Sequence, residues 1–166
     1  AAIASYNTAL QLKPNYPDAH NNLGIALKEQ GDLDAAIASY SSALQLNPNY
    51  PDAHINQGNA HREQGDLDAA IASYNIALQL KPNEADAHWN SSLTMLLMGD
   101  YKNGWDKYEW RSKQAEEHSK PHAFPTCDQW SGNVALNQAS QLLLVTEQGL
   151  GDTLQFMRYV TALRNK

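Results

Sequence analysis

The sequence predicts an all-α solenoid of helix pairs, followed by one short βα unit near the C-terminus. The first observation is an internal repeat: residues 17–50 and 51–84 are identical at 25 of 34 positions, and residues 1–16 match 35–50 at 13 of 16. A period of 34 residues is typical of helix–turn–helix arrays. The second is that glycine and proline recur at fixed places in each period, which low-complexity sequence would not produce. The third is a short apolar run at 142–145 followed by glycines, which predicts the βα unit.

Each period is predicted to hold two helices separated by a glycine. The first helix of repeat 17–50 starts behind Pro17 and stops at Gly31, because proline suits a first helical position and glycine takes positive φ at little cost. The second helix runs from about Leu33 to Leu46 and carries apolar residues at spacings of three and four. Small residues let the two helices approach closely, so we expect Tyr40 and Tyr74 to be buried between them.

The repeat also divides the chain. Residues 1–16 hold only the second helix of a pair, and we expect the natural protein to continue on the N-terminal side, because a lone half repeat leaves a face uncovered. At the other end the small residues are replaced: Ser92 stands where Gly24 and Gly58 stand, and Gly104 replaces Ala70. The predicted segments are a half repeat 1–16, repeats 17–50 and 51–84, a degenerate repeat 85–111 closing an array 1–111, a linker 112–140 and a βα unit 141–166.

The spacing of the repeated residues resembles the tetratricopeptide repeat family. The resemblance covers residues 1 to about 111, and it implies a right-handed superhelix with the first helices inside and the second helices outside. It also implies that a protein or peptide partner binds in the concave groove. The signature positions are filled in both complete repeats, by Gly24, Ala36, Tyr40, Ala43 and Pro48 and by Gly58, Ala70, Tyr74, Ala77 and Pro82.

In this repeat geometry the second, fifth, sixth and ninth residues of each repeat face the groove. The sixth is asparagine in all three repeats, and its amide offers two donors and an acceptor to the main chain of an extended peptide. This row resembles the asparagine ladder in the repeats of protein O-GlcNAc transferases. The predicted partner-binding residues are Asp18, Asn21, Asn22, Ile25, Asp52, Ile55, Asn56, Asn59, Asp86, Trp89 and Asn90.

Recent duplication is the alternative explanation of this row, because nearly identical repeats would repeat any residue. Against it, the fifth and ninth positions have diverged between repeats while the sixth has not. A clamp for a C-terminal carboxylate is not expected. The inner helices offer only Lys28 and Arg62 as basic residues, each followed by a glutamate.

The histidines do not predict a metal site. His20, His54 and His88 recur once per repeat, which favours a packing role over a shared metal ion. His118, His122 and Cys127 lack the paired spacing of structural zinc sites. We therefore expect no metal and no cofactor.

Charge and composition restrict the class of partner. A net charge of −6 and a pI of about 5.4 disfavour attraction to nucleic acid or to an anionic membrane. No apolar run approaches the roughly 20 residues that a bilayer-spanning helix needs. The single cysteine indicates a reducing compartment, so we expect a cytoplasmic protein with no nucleic-acid or membrane partner.

The segment 141–166 carries a second resemblance. An apolar strand, a glycine turn and a helix from Asp152 to about Arg164 predict one βα unit. The sequence WSG followed by LLLVTEQGLGDTLQFMRY resembles the start of heptosyltransferase-like glycosyltransferase domains that follow such repeats in bacteria. The resemblance implies Asp152 as the base that deprotonates an acceptor hydroxyl, with Gly149, Gly151 and Thr153 shaping the ligand turn. A helix N-terminal aspartate is the structural alternative for Asp152.

Two functions follow from these patterns. The favoured one is a scaffold that binds an extended peptide or protein partner in the groove. The alternative is the N-terminal fragment of a glycosyltransferase whose repeats present the protein acceptor. A single βα unit has no room for a nucleotide-binding half, so we expect the chain itself to be catalytically inert. An unpaired strand edge recruits another strand. We therefore expect self-association through 141–146, packing of its leucines onto the closing repeat near Trp105 and Trp110, or fraying, and the first two together are favoured.

Overall fold

The computed structural model describes residues 2–110, and all regular structure in that range is helical, as predicted. The predicted linker at 112–140 and βα unit at 141–166 lie outside the described residues. Within the described range the helices, in chain order, are α1 (Ala2–Leu12), α2 (Pro17–Glu29), α3 (Leu33–Leu46), α4 (Pro51–Gln64), α5 (Leu67–Leu80), α6 (Ala85–Leu97) and α7 (Tyr101–Tyr108).

The helices form hairpins that stack in chain order. α2 packs against α3, α4 against α5 and α6 against α7, while α1 packs on α2, α3 on α4 and α5 on α6. The first helices of successive hairpins also contact each other, α2 with α4 and α4 with α6. This nearest-neighbour stacking is that of a solenoid, and it brings the first helices together along one side.

Each hairpin turn consists of a glycine followed by an aspartate. The glycines adopt φ values of 83°, 92° and 83°, the left-handed region that a residue with a Cβ enters only under strain. Each aspartate then caps the second helix, because its side chain accepts a hydrogen bond from a backbone N–H three residues later. The turns are Gly31–Asp32, Gly65–Asp66 and Gly99–Asp100.

A tyrosine packed against a glycine forms the centre of both complete hairpins. Tyr40 and Tyr74 are fully buried, which confirms the prediction from the spacing. A Cβ added to Gly24 would lie 2.5 Å from Cε1 of Tyr40, and one added to Gly58 would lie 2.5 Å from Cε1 of Tyr74. The absence of a side chain on the first helix is therefore what admits the ring of the second.

The closing hairpin solves the same packing problem differently. Ser92 is fully buried at the glycine position, and the equivalent tyrosine, Tyr108, is only half-buried. The centroid of the Tyr108 ring instead lies 4.9 Å from that of the Trp89 ring and 5.2 Å from that of the Trp105 ring. The small residue is now on the second helix, because a Cβ on Gly104 would lie 2.7 Å from Leu96 Cδ2.

The repeated histidines have a structural role. In each repeat the Nε2 atom donates a hydrogen bond to the carbonyl oxygen of a proline six residues earlier, since a carbonyl can only accept. This bond ties the first turn of α2, α4 or α6 to the loop that precedes it. The pairs are His20–Pro14 at 3.0 Å, His54–Pro48 at 3.1 Å and His88–Pro82 at 2.8 Å.

Candidate functional site

The candidate site is the surface formed by α2, α4 and α6, here called the inner groove. These three helices are the first helices of their repeats, and α4 contacts both α2 and α6. All of the residues predicted to bind a partner are on them. Their surroundings differ by position in the repeat.

The sixth-position asparagines are half-buried in all three repeats. Asn56 Nδ2 donates to Asn21 Oδ1 of the preceding repeat at 3.0 Å. Asn90 Oδ1 accepts a longer bond of 3.4 Å from Arg62 Nη1. Asn22 forms no side-chain hydrogen bond within the part of the chain that the structure describes. The three asparagine side chains are therefore partly accessible to solvent. Two of them, Asn56 and Asn90, already form hydrogen bonds with residues of the preceding repeat.

The fifth-position residues serve packing between helices. Asn21 is 4% exposed and Ile55 is 8% exposed, so neither has much surface to offer a partner. Ile55 belongs to the apolar cluster around Tyr74, and Trp89 lies against Tyr108. The prediction that Asn21 and Ile55 line the groove is thus replaced by a role at the junction between α2, α4 and α5, where neighbouring helices cover them.

The ninth position also turns toward the hairpin. Ile25 packs against the buried cluster of Ala36, Tyr40 and Ala60. Asn59 Oδ1 accepts a 2.8 Å hydrogen bond from the Tyr74 hydroxyl. Both residues remain half-buried, so each supports the core while keeping part of its surface.

The second-position aspartates form an acidic edge at the start of the inner helices. Asp18 and Asp52 are exposed and Asp86 is half-buried. Burial raises the pKa of Tyr50 to about 12, and a hydrogen bond to Asp18 and the negative charges of Asp18 and Asp52 add to this effect. Asp18 is thus linked to the loop before the next repeat.

A cleft lies at the opposite end of the inner helices, and sequence analysis did not identify it. Its volume is about 630 Å³. Glu63, one of the lining residues, forms an ion pair with Lys28 of the preceding repeat, with 2.9 Å between Lys28 Nζ and Glu63 Oε1. Lys28 and Arg62 are the two basic residues that the sequence analysis judged too few for a carboxylate clamp. Lys28 forms an ion pair with Glu63, whereas Arg62 donates a hydrogen bond to Asn90. The lining residues are Arg62, Glu63, Leu93, Leu96 and Leu97.

Other predicted residues fall elsewhere. Asp152, Gly149, Gly151 and Thr153 lie outside the described residues, as do the segments on which transferase activity and self-association were predicted. Among residues 2–110, no group of three or more His, Cys, Asp or Glu side chains comes together as a metal site would require. No helix in this same range has the length and apolar character needed to cross a membrane.

Comparison with known proteins identifies the repeat. A family model described as "Tetratricopeptide repeat" matches residues 21–85 and 55–103, and one described as "TPR repeat" matches residues 1–31. Comparison with curated proteins gives no significant match. Two similar solved structures are a crystal structure of MamA and one of the MamA protein, both 24% identical over 69% of this chain. Their TM-scores are 0.64 and 0.62, and the match covers 67% and 63% of those chains. At this identity they show the fold alone. The family models, which together match residues 1–103, show that the chain belongs to the tetratricopeptide repeat family.

Proposed function

We propose that the chain is a protein-interaction module that holds an extended peptide segment of a partner in the inner groove. The observation that carries the proposal is the row of half-buried amides, Asn22, Asn56 and Asn90, on three adjoining helices. Amides can satisfy a peptide's main-chain N–H and C=O groups without reading its side chains. We propose a cytoplasmic setting, with protein or peptide rather than nucleic acid or membrane as the partner.

The test is capture of peptides from a phage-displayed library of random 12-residue sequences, followed by affinity measurement on selected peptides by fluorescence anisotropy. The triple variant Asn22→Ala, Asn56→Ala, Asn90→Ala should bind about two orders of magnitude more weakly, because each lost amide bond is worth about 1 kcal/mol net. Asn75→Ala, at an exposed position of α5, is the matched control and should bind like the parent. Equal binding by the triple variant would refute the amide row.

Stability must be measured in parallel, because Asn56→Ala removes the hydrogen bond to buried Asn21. Thermal unfolding followed by circular dichroism separates this effect from binding. Asn22→Ala gives the cleanest single comparison, since no described side chain depends on its amide.

The alternative is that the repeats present a protein acceptor to a glycosyltransferase domain. It rests on the sequence 141–153 alone, with Asp152 as the proposed base and Gly149, Gly151 and Thr153 in the proposed ligand turn. In a parent enzyme of that kind, Asp152→Asn should abolish sugar transfer and leave peptide capture unchanged. Unchanged transfer would reduce Asp152 to a helix N-terminal residue.

A further inference from the structure

The cleft at the end of the inner helices differs in chemistry from the amide row. Its apolar wall is α6, where Leu93 and Leu96 are half-buried and Leu97 is 70% exposed. The equivalent residues of the preceding repeat are polar: Asn59, Arg62 and Glu63. In repeat 17–50 the equivalent residues are Ile25, Lys28 and Glu29, so the positions of Leu96 and Leu97 are polar in both complete repeats and apolar only in α6. The change places an apolar surface directly beside the polar residues of α4.

The cleft is lined by two charged side chains, Arg62 and Glu63. Arg62 has no carboxylate partner in the described range. Arg62 is half-buried as a residue, and its Nη1 donates one long hydrogen bond, 3.4 Å, to Asn90 Oδ1. Glu63, its neighbour in the cleft, is paired with Lys28 at 2.9 Å. Another ion pair in the described range joins Lys81 and Glu84, which do not line the cleft. Among the described residues, Arg62 is therefore the lining side chain whose charge no ion pair offsets.

We propose that this cleft recognises an acidic side chain flanked by large aliphatic residues in the partner peptide. The acidic group pairs with Arg62, whose planar donor fork matches a carboxylate, and the aliphatic side chains cover Leu93 and Leu97. The inference rests on the proposed peptide-binding function and assigns the groove a sequence preference that the amide row cannot supply. Partial burial of Arg62 strengthens such a pair relative to one on an open surface.

The probes are fluorescent nine-residue peptides, acetylated and amidated so that no terminal carboxylate competes, with a Leu-Glu-Leu core in a Gly-Ser frame. Matched peptides carry Leu-Gln-Leu, Leu-Lys-Leu or Ser-Glu-Ser. We expect the Glu core to bind about tenfold more tightly than the Gln core, the size expected of a hydrogen bond to a charged group, and the Ser-flanked core to bind more weakly than both. The Glu preference should shrink as salt is added.

Arg62→Gln should equalise the Glu and Gln cores, and Arg62→Glu should reverse the order in favour of Lys. Lys102→Glu makes a charge change of the same size and sign at an exposed residue of α7 outside the cleft, and should leave the preference unchanged. Leu97→Ser tests the apolar wall at a position exposed enough to spare the fold.

Equal binding of the Glu and Gln cores, or an order that Arg62→Glu does not alter, overturns the inference. So does absence of binding by the Leu-Glu-Leu peptide to the folded chain, including the case in which the chain's own apolar residues 142–145 fill the cleft. Peptides selected from the random library distinguish this failure from failure of the groove. If they bind in an asparagine-dependent way while the panel shows no charge preference, the proposed function stands and this specificity falls.

Discussion

Tyr40 and Tyr74 occupy equivalent buried positions, yet their hydroxyl groups have different surroundings. The Tyr74 hydroxyl donates to Asn59 Oδ1 at 2.8 Å, whereas that of Tyr40 has no hydrogen-bond partner in the described part of the chain. The reason is one substitution between repeats, because Ile25 stands where Asn59 stands in the next repeat. A buried hydroxyl without a partner loses its hydration and gains nothing in return.

This difference predicts that replacement of tyrosine by phenylalanine changes stability differently at the two positions. Tyr74→Phe should lower the free energy of unfolding by about 1 kcal/mol, the net value of one hydrogen bond. Tyr40→Phe removes a polar atom that has no partner and should be neutral or stabilising. Urea denaturation of the two variants and the parent measures both, with each serving as the other's control. Equal losses in the two variants would contradict this account of the Tyr40 site.

At the scale of elements, each complete hairpin depends on a side-chain gap in its first helix. The space for the Tyr74 ring is created by Gly58, and the ring is rigid and enclosed on all sides. The gap cannot be filled without moving the helices apart. In an exposed helix the same glycine would only reduce stability.

Gly58→Ala should therefore destabilise the hairpin, although alanine is the better helix former. Overpacking costs about 1–3 kcal/mol and outweighs a propensity gain of about 1 kcal/mol. In a Tyr74→Leu background the ring is gone, and the same Gly58→Ala change should be tolerated or favourable. A double-mutant cycle on the free energies of unfolding should then give a coupling of about 1 kcal/mol or more. Additive effects would show that the Cβ and the ring do not compete for space.

The elements are also where sequence interpretation succeeded and where it stopped. Helix limits were predictable because Pro17, Gly31 and the residues that follow them act locally on φ and on the capping of backbone groups. The burial of Asn21 and Ile55 was not predictable. The position of a residue in the repeat indicates on which face of its helix it lies, but not whether the next helix covers that face. The covering depends on contacts between helices far apart in sequence, such as those of Asn21 with Asn56 and of Ile55 with Tyr74.

The cleft escaped sequence analysis for a related reason. Leu93, Leu96 and Leu97 have the spacing of an ordinary apolar stripe, which predicts burial. Only the structure shows that Leu97 remains largely exposed and that Arg62 lies beside the stripe. One sequence signal was available: the positions of Leu96 and Leu97 are polar in both complete repeats, with Lys28 and Glu29 in one and Arg62 and Glu63 in the other.

Across the whole array, buried tyrosines link stability to alkaline pH. Burial is the main cause that raises the pKa of Tyr40, Tyr50 and Tyr74 to about 12 in the folded state. In the unfolded chain each phenol titrates near pH 10. The folded state therefore holds these protons over a range in which the unfolded state loses them. The stability contributed by the neutral phenols is complete below about pH 10 and is lost as pH rises through about 12.

We expect this loss to appear as cooperative unfolding of the stacked hairpins between about pH 10 and 12. Ionisation of Tyr40 and Tyr74, followed by phenolate absorbance, should coincide with the loss of helical circular dichroism. The Tyr40→Phe, Tyr74→Phe double variant should move this loss to higher pH. Loss of the helical signal at the same pH in the parent and in the double variant would contradict the prediction.

The hydrogen bonds between neighbouring inner helices have a mechanical consequence. Asn56 to Asn21, Arg62 to Asn90 and Lys28 to Glu63 each bridge two repeats on the groove side, so they resist stretching of the array in the way that detachable links resist the opening of a coil. A peptide that bonds the second amide hydrogen of Asn56, or the Nδ2 group of Asn90, leaves these links in place and adds a further connection that spans the same repeats. Occupied repeats would then extend only under a larger force than empty ones, and pulling on the array would in turn weaken its hold on the peptide.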